Sequence, residues 1–130
     1  MGALPVTSFF AGVLSFLGVY LSIQVILMRR QKRVSHGSGG DEVLQRSMRA
    51  FGNFIEYTPF TLLLMALCES NGAASWVLIA LGVLLAAGRL LHAYAIPRSN
   101  FKLRFWGMSL TFAVILSLAL LLLFQAFFHD

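Results

Sequence analysis

The chain has 130 residues, of which 58% are hydrophobic and only 12% charged, with a mean hydropathy of +0.81. A water-soluble domain carries about twice that share of charge, so the composition excludes an ordinary soluble enzyme and indicates one integral membrane domain over residues 1–130. The formal net charge of +5 comes from basic residues gathered at one set of segment ends, which is a membrane-topology pattern rather than a nucleic-acid-binding one.

Leu4 to Met28 contains no charged residue. It exceeds the roughly 20 residues that cross a hydrocarbon core and predicts a first helix over 4–28. No basic residue precedes it, which argues against a cleavable signal peptide. Arg29, Arg30, Lys32 and Arg33 follow. Then comes VSHGSGGDEV, Val34 to Val43, whose glycines and serines mark a flexible connector. Its glycines lack the preceding strand and following GK[ST] of a phosphate-binding loop. Asp41 is the expected N-cap of the second helix, with Glu42 in its first turn.

The second helix is predicted over 43–68. Arg46, Arg49, Asn53 and Glu56 recur at helical spacing and share one face. Glu56 lies about 20 Å along this helix. A carboxylate at that depth should face protein or water and have a partner. A packing-only Glu–Arg pair and a functional site are both open readings of this stripe, and they are compatible. Cys68 is the chain's one cysteine. It lies roughly 28 Å beyond Arg49 and is expected to be a buried small residue.

The third helix is predicted over 74–96. Ala80, Gly82, Ala86, Ala87 and Gly88 let a neighbouring helix approach closely. Arg89 is the expected partner of Glu56 or Asn53, with His92 and Tyr94 at the mouth of a cavity. No second His, Cys or acidic residue completes a metal-ligand spacing, so no metal is expected. Arg98, Lys102 and Arg104 precede a fourth helix predicted over 105–128, which is free of charge. The basic residues therefore place loops 1 and 3 in the cytoplasm and both termini on the opposite side. The apolar runs are continuous and too long for barrel strands of about 10 residues. The fold class is an all-α integral membrane four-helix bundle.

The residues alone describe a cytoplasm-facing cavity lined by arginines, an amide, a carboxylate and tyrosines, beside apolar helix surface. Such a site suits a small anionic ligand held next to a lipophilic one, since arginine binds carboxylates in bidentate fashion. The same cations would favour a bound thiolate. These patterns do not identify the ligand.

Four runs carry a resemblance: SIQVILMRRQKRVS from Ser22, RAFGNFIEYTP from Arg49, GRLLHAY from Gly88 and RSNFKLR from Arg98. In this order they resemble the MAPEG family, the membrane-associated proteins in eicosanoid and glutathione metabolism. The pattern is similar to that of leukotriene C4 synthase and the microsomal glutathione transferases. The resemblance implies a homotrimer that binds glutathione between neighbouring subunits. Arg49, Asn53, Glu56 and Tyr57 would hold the ligand from helix 2, and Arg29 would reach in from the adjacent subunit. Arg89, His92 and Tyr94 complete the expected cofactor-binding set, and Arg104 matches the arginine that activates the thiol.

Three departures stand out. Phe51 occupies a position where relatives have His or Gln, and Gln45 replaces a frequent Glu. Tyr94 is the only aromatic near the two helix 3 positions that carry tyrosines in the family. The expected activity is conjugation or reduction of a lipophilic electrophile arriving from the bilayer, with membrane lipids as neighbours and a bacterial inner membrane as the location. The alternative is a non-catalytic lipid- or glutathione-binding scaffold on the same fold. A transporter component is a third class, but the outer halves of helices 1 and 4 lack the polar residues of a continuous pathway.

Overall fold

A computed structural model describes residues 2–128 as four helices, with no strand among the described residues. They are α1 (Pro5–Lys32), α2 (Glu42–Ser70), α3 (Ser75–Ala95) and α4 (Phe101–Phe128). All four are long and apolar enough to cross a membrane. Their boundaries follow local chemistry. Pro5 starts α1 at a position whose N–H would be unpaired anyway. Arg33, left-handed at φ 56°, ends it. Asp41 caps α2 as expected, accepting from the Leu44 N–H at 2.8 Å. Asn100 does the same for α4, accepting from the Leu103 N–H at 3.1 Å.

Three helices extend beyond their predicted spans, α2 by only one residue at its start and two at its end. α1 continues four residues past Met28 into the basic run, and α4 begins four residues before Phe105. Hydropathy marks the part of a helix that sits in hydrocarbon. Backbone hydrogen bonding continues through the charged turns at the membrane surface. As a consequence Lys102 and Arg104 are helical residues in the first turn of α4, not loop residues.

α1 packs on α2 and α3, and α4 packs on the same two helices from the other side; α1 and α4 do not meet among the described residues. The core contains Leu14, Met65, Leu78, Leu85, Val114 and Leu118, each at most 2% exposed. Cys68 is fully buried there, as its type suggests. Large apolar side chains elsewhere point outward, among them Phe16, Trp76 and Phe127. In water this surface would aggregate, whereas in a bilayer it is the expected exterior.

α3 and α4 approach most closely where two glycines oppose each other. A Cβ on Gly88 would lie 2.9 Å from the Gly107 carbonyl oxygen, and one on Gly107 would lie 2.8 Å from that of Gly88. This backbone-on-backbone contact brings Arg89 and His92 against α4. At the opposite end of the bundle, Glu69 closes the structure. Its carboxylate oxygens accept from the Val6 and Thr7 N–H groups, each at 2.9 Å. A residue at the end of α2 thus caps the first turn of α1, where free donors and the helix dipole favour an anion.

Candidate functional site

The polar stripe of α2 lines a groove of about 430 Å³ at the arginine-bearing end of the bundle. Gln45, Arg49, Gly52, Asn53 and Glu56 form one wall. Ile96, at the end of α3, and Arg104, in the first turn of α4, form the other. Arg49 and Arg104 are far apart in sequence, and the longer α4 brings them to one space.

Arg89 is 2% exposed and stands behind this groove. Its Nη1 donates to Asn53 Oδ1 at 2.5 Å, its Nε to Thr111 Oγ1 at 3.1 Å, and its Nη2 to Met108 Sδ at 3.3 Å. Its guanidinium also lies 5.9 Å from the centre of the Tyr57 ring. Tyr57 packs edge-on against Phe112, with ring centroids 5.6 Å apart. The sequence offered Arg89 two partners, Glu56 or Asn53, and the structure selects Asn53. The expected Glu56–Arg89 ion pair is absent, and the one ion pair among the described residues is Lys32–Asp41 at 3.2 Å. The reason is register. Arg89 faces the turn of α2 that bears Asn53, while α4 supplies the remaining acceptors. Thr111 and Met108 were not foreseen as partners, although Thr111 is one of few polar residues in the apolar stretch of α4.

Glu56 is instead exposed on the rim of the groove, as is Arg49. Two arginines face one carboxylate there, and a third cation lies behind Asn53. The groove therefore favours an anion, and Glu56 remains able to accept from a cationic group on the same ligand.

The remaining candidates are dispersed. His92 is 2% exposed in the α3–α4 seam beside Gly107, and it does not line the groove. Tyr94 points to the other side of α3 and lines a separate apolar groove, with the Arg98 guanidinium 3.8 Å above its ring. The expectation that His92 and Tyr94 share the mouth of one cavity is thus corrected. The two residues lie about 200° apart around a helix that turns roughly 100° per residue. Arg29 donates to the Gly37 carbonyl at 2.8 Å and to Met48 Sδ at 3.6 Å. Within one chain it secures loop 1, and it reaches the groove only through Met48, which is part of the lining. Phe51 packs against the core. Among the described residues no three His, Cys, Asp or Glu side chains could hold a metal together.

Four membrane-length helices, with a basic and amide-bearing groove at one end, define the class of protein. The MAPEG family profile matches residues 7–124. The chain is 37% identical over 115 residues to the inner membrane protein YecN of Escherichia coli K12, covering 88% of each chain. YecN of E. coli O6:H1 strain CFT073 matches to the same extent. No solved structure matches the chain significantly. The chain belongs to the MAPEG family and is an integral, multi-pass membrane protein.

Proposed function

We propose that this protein is a membrane-bound glutathione transferase or peroxidase that acts as a homotrimer. The observation that carries the reading is the meeting of Arg49, Asn53, Glu56 and Arg104 around one groove. In this reading Arg49 binds a ligand carboxylate and Glu56 binds its amino group. Asn53 has its oxygen engaged by Arg89 and turns its NH₂ toward an acceptor. Glutathione offers two carboxylates, an ammonium, peptide carbonyls and a thiol, and so fits this set. The exposure of Arg49 and Glu56 in a single chain supports a site completed by a neighbouring subunit, with Arg29 of that subunit as a further cation.

In the proposed reaction Arg104 stabilises the bound thiolate. A free thiol has a pKa of about 8.5, and lowering it by two units takes about 2.7 kcal/mol. One partly desolvated arginine can provide that. The thiolate sulfur then attacks an electrophilic carbon and displaces its leaving group. Alternatively it attacks the terminal oxygen of a hydroperoxide; an alcohol leaves, and a second thiol converts the sulfenic acid to a disulfide with loss of water. The lipophilic co-substrate arrives from the bilayer. By the distribution of arginine and lysine the groove faces the cytoplasm, and the similarity to YecN supports an inner membrane location.

Phe51 and the single nearby tyrosine favour a second reading, a scaffold that binds glutathione or lipid without chemistry. Isothermal titration of glutathione into the detergent-purified protein, repeated with Arg49→Ala, tests the site. Saturable binding lost in the variant supports it. No binding to a folded wild-type assembly would sink both the enzyme and the glutathione scaffold. Turnover of a generic electrophile at saturating glutathione then separates those two readings.

A further inference from the structure

The basic groove is the smaller of two grooves on the bundle. A second groove of about 970 Å³ runs along the seam between α1 and α3, with α2 as its floor. It opens on a different side of the bundle from Arg49 and Glu56. Leu17, Leu21, Leu91 and Ala87 make its apolar interior. Its rim residues Tyr20, Leu90 and Tyr94 are more than half exposed, so in the single chain it lies open along the side of the bundle.

Polarity along this groove is graded. Arg98 stands at the loop 3 end, its guanidinium stacked on Tyr94 at 3.8 Å and donating once, to the Tyr94 carbonyl at 3.1 Å. No carboxylate pairs with it among the described residues, and stacking orients its remaining donors without consuming them. Arg46 donates to Ser99 at 2.7 Å and so ties loop 3 to the start of α2 at this end. Gln24 and Ser47 line the next level. Neither side chain hydrogen-bonds within the described chain. Polar groups next to hydrocarbon are costly unless a partner satisfies them. Below them, toward Tyr20 about 12 Å from Met28 along α1, the lining becomes apolar.

We infer that the α1–α3 groove is a binding site for an anionic phospholipid of the surrounding bilayer. The phosphate meets Arg98, the glycerol and ester oxygens meet Gln24 and Ser47, and an acyl chain lies on the apolar wall. Arg98 is the one charged residue of the lining, and no carboxylate there would pair a choline cation, so charge at the mouth selects this occupant over a zwitterionic lipid; the donors one level below serve ester oxygens common to both. The inference does not depend on the basic groove or on glutathione.

Native mass spectrometry of the delipidated, detergent-purified protein tests it, with dioleoylphosphatidylglycerol and dioleoylphosphatidylcholine added at equal concentration. The phosphatidylglycerol adduct should dominate, at one per chain. Arg98→Gln should lower its retention roughly tenfold, the usual worth of a charge-assisted hydrogen bond, to the level of phosphatidylcholine. Lys102→Gln removes an exposed cation outside the groove and should leave the adduct unchanged. Ala87→Phe should block both lipids by filling the wall; if it misfolds, Ser47→Ala, which removes a donor to oxygens common to both lipids, should weaken both, and unchanged retention there would overturn the inference. Equal retention of the two lipids would overturn the inference, as would equal losses in Arg98→Gln and Lys102→Gln. Stronger retention of oleate than of phosphatidylglycerol would also overturn it, by showing a free fatty acid site.

Discussion

Arg89 donates to Asn53 Oδ1 across the α2–α3 contact, with no carboxylate among its partners. A buried guanidinium is thus satisfied by an amide, a hydroxyl and a thioether. Its geometric effect is on the amide. With the oxygen taken, only the NH₂ of Asn53 is free to face the groove.

This separates folding from binding at one residue. Asn53→Asp gives Arg89 a charged acceptor and removes the donor that faces the ligand. The variant should unfold at or above the wild-type temperature and bind glutathione roughly tenfold or more weakly. Arg89→Ala should instead destabilise the protein by about 2–4 kcal/mol, because it leaves a cavity and strips Asn53 Oδ1 of its partner, while Thr111 keeps its bond to the Gly107 carbonyl. Thermal unfolding in detergent and titration calorimetry, run on both variants, check the contrast.

Arg104 and Arg49 should differ in kinetics. If Arg104 acts on the thiolate, Arg104→Ala lowers turnover and leaves glutathione affinity nearly unchanged. Arg49→Ala weakens affinity. Thiolate absorbance of bound glutathione across pH 6–9, a range around its ordinary pKa, provides an independent reading. Unchanged turnover in Arg104→Ala would remove that residue from the mechanism.

The Gly88–Gly107 contact should tolerate no side chain. Gly88→Ala places a Cβ 2.9 Å from a backbone oxygen that cannot move without shifting α4. A loss of about 1–3 kcal/mol is expected. Gly12→Ala, whose Cβ would meet nothing within 4 Å inside α1, is the control and should be neutral to stabilising by up to about 1 kcal/mol. Thermal stability measured in the same detergent compares the two.

Glu69 should act locally. Glu69→Gln retains the shape and removes the charge, and Glu69→Ala removes both acceptors. Amide exchange at Val6 and Thr7 should accelerate in that order, while exchange at the arginine-bearing end of the bundle stays the same. A uniform acceleration would mean that Glu69 supports the whole fold rather than the first turn of α1.

Asp41 gives a pH dependence of known sign. Its carboxyl is held below the ordinary carboxylate range by the Leu44 N–H it accepts, with the nearby Lys32 ammonium adding to the effect. A group whose pKa falls on folding contributes stability above its unfolded value. That contribution is lost as pH drops through the folded value. The α2 cap should therefore be intact from neutral pH down to about pH 4 and loosen below it. The Leu44 amide shift, followed by NMR, should titrate in that acid range and remain flat in Asp41→Asn.

The sequence by itself determined the four spans, because uninterrupted apolar length is a property of the chain and not of its packing. It also determined the α2 stripe and the Asp41 cap, since helical periodicity fixes which residues share a face or a turn. Tertiary structure alone decided which partners those faces meet. Asn53 rather than Glu56 for Arg89, the α4 seam rather than a cavity mouth for His92, and Glu69 capping α1 all depend on the relative rotation and height of two helices. Hydropathy carries no information on either quantity. The close approach of Gly88 and Gly107 helps to set both for α3 against α4. The same rotation opens the α1–α3 groove, whose lining residues read in sequence only as ordinary membrane helix.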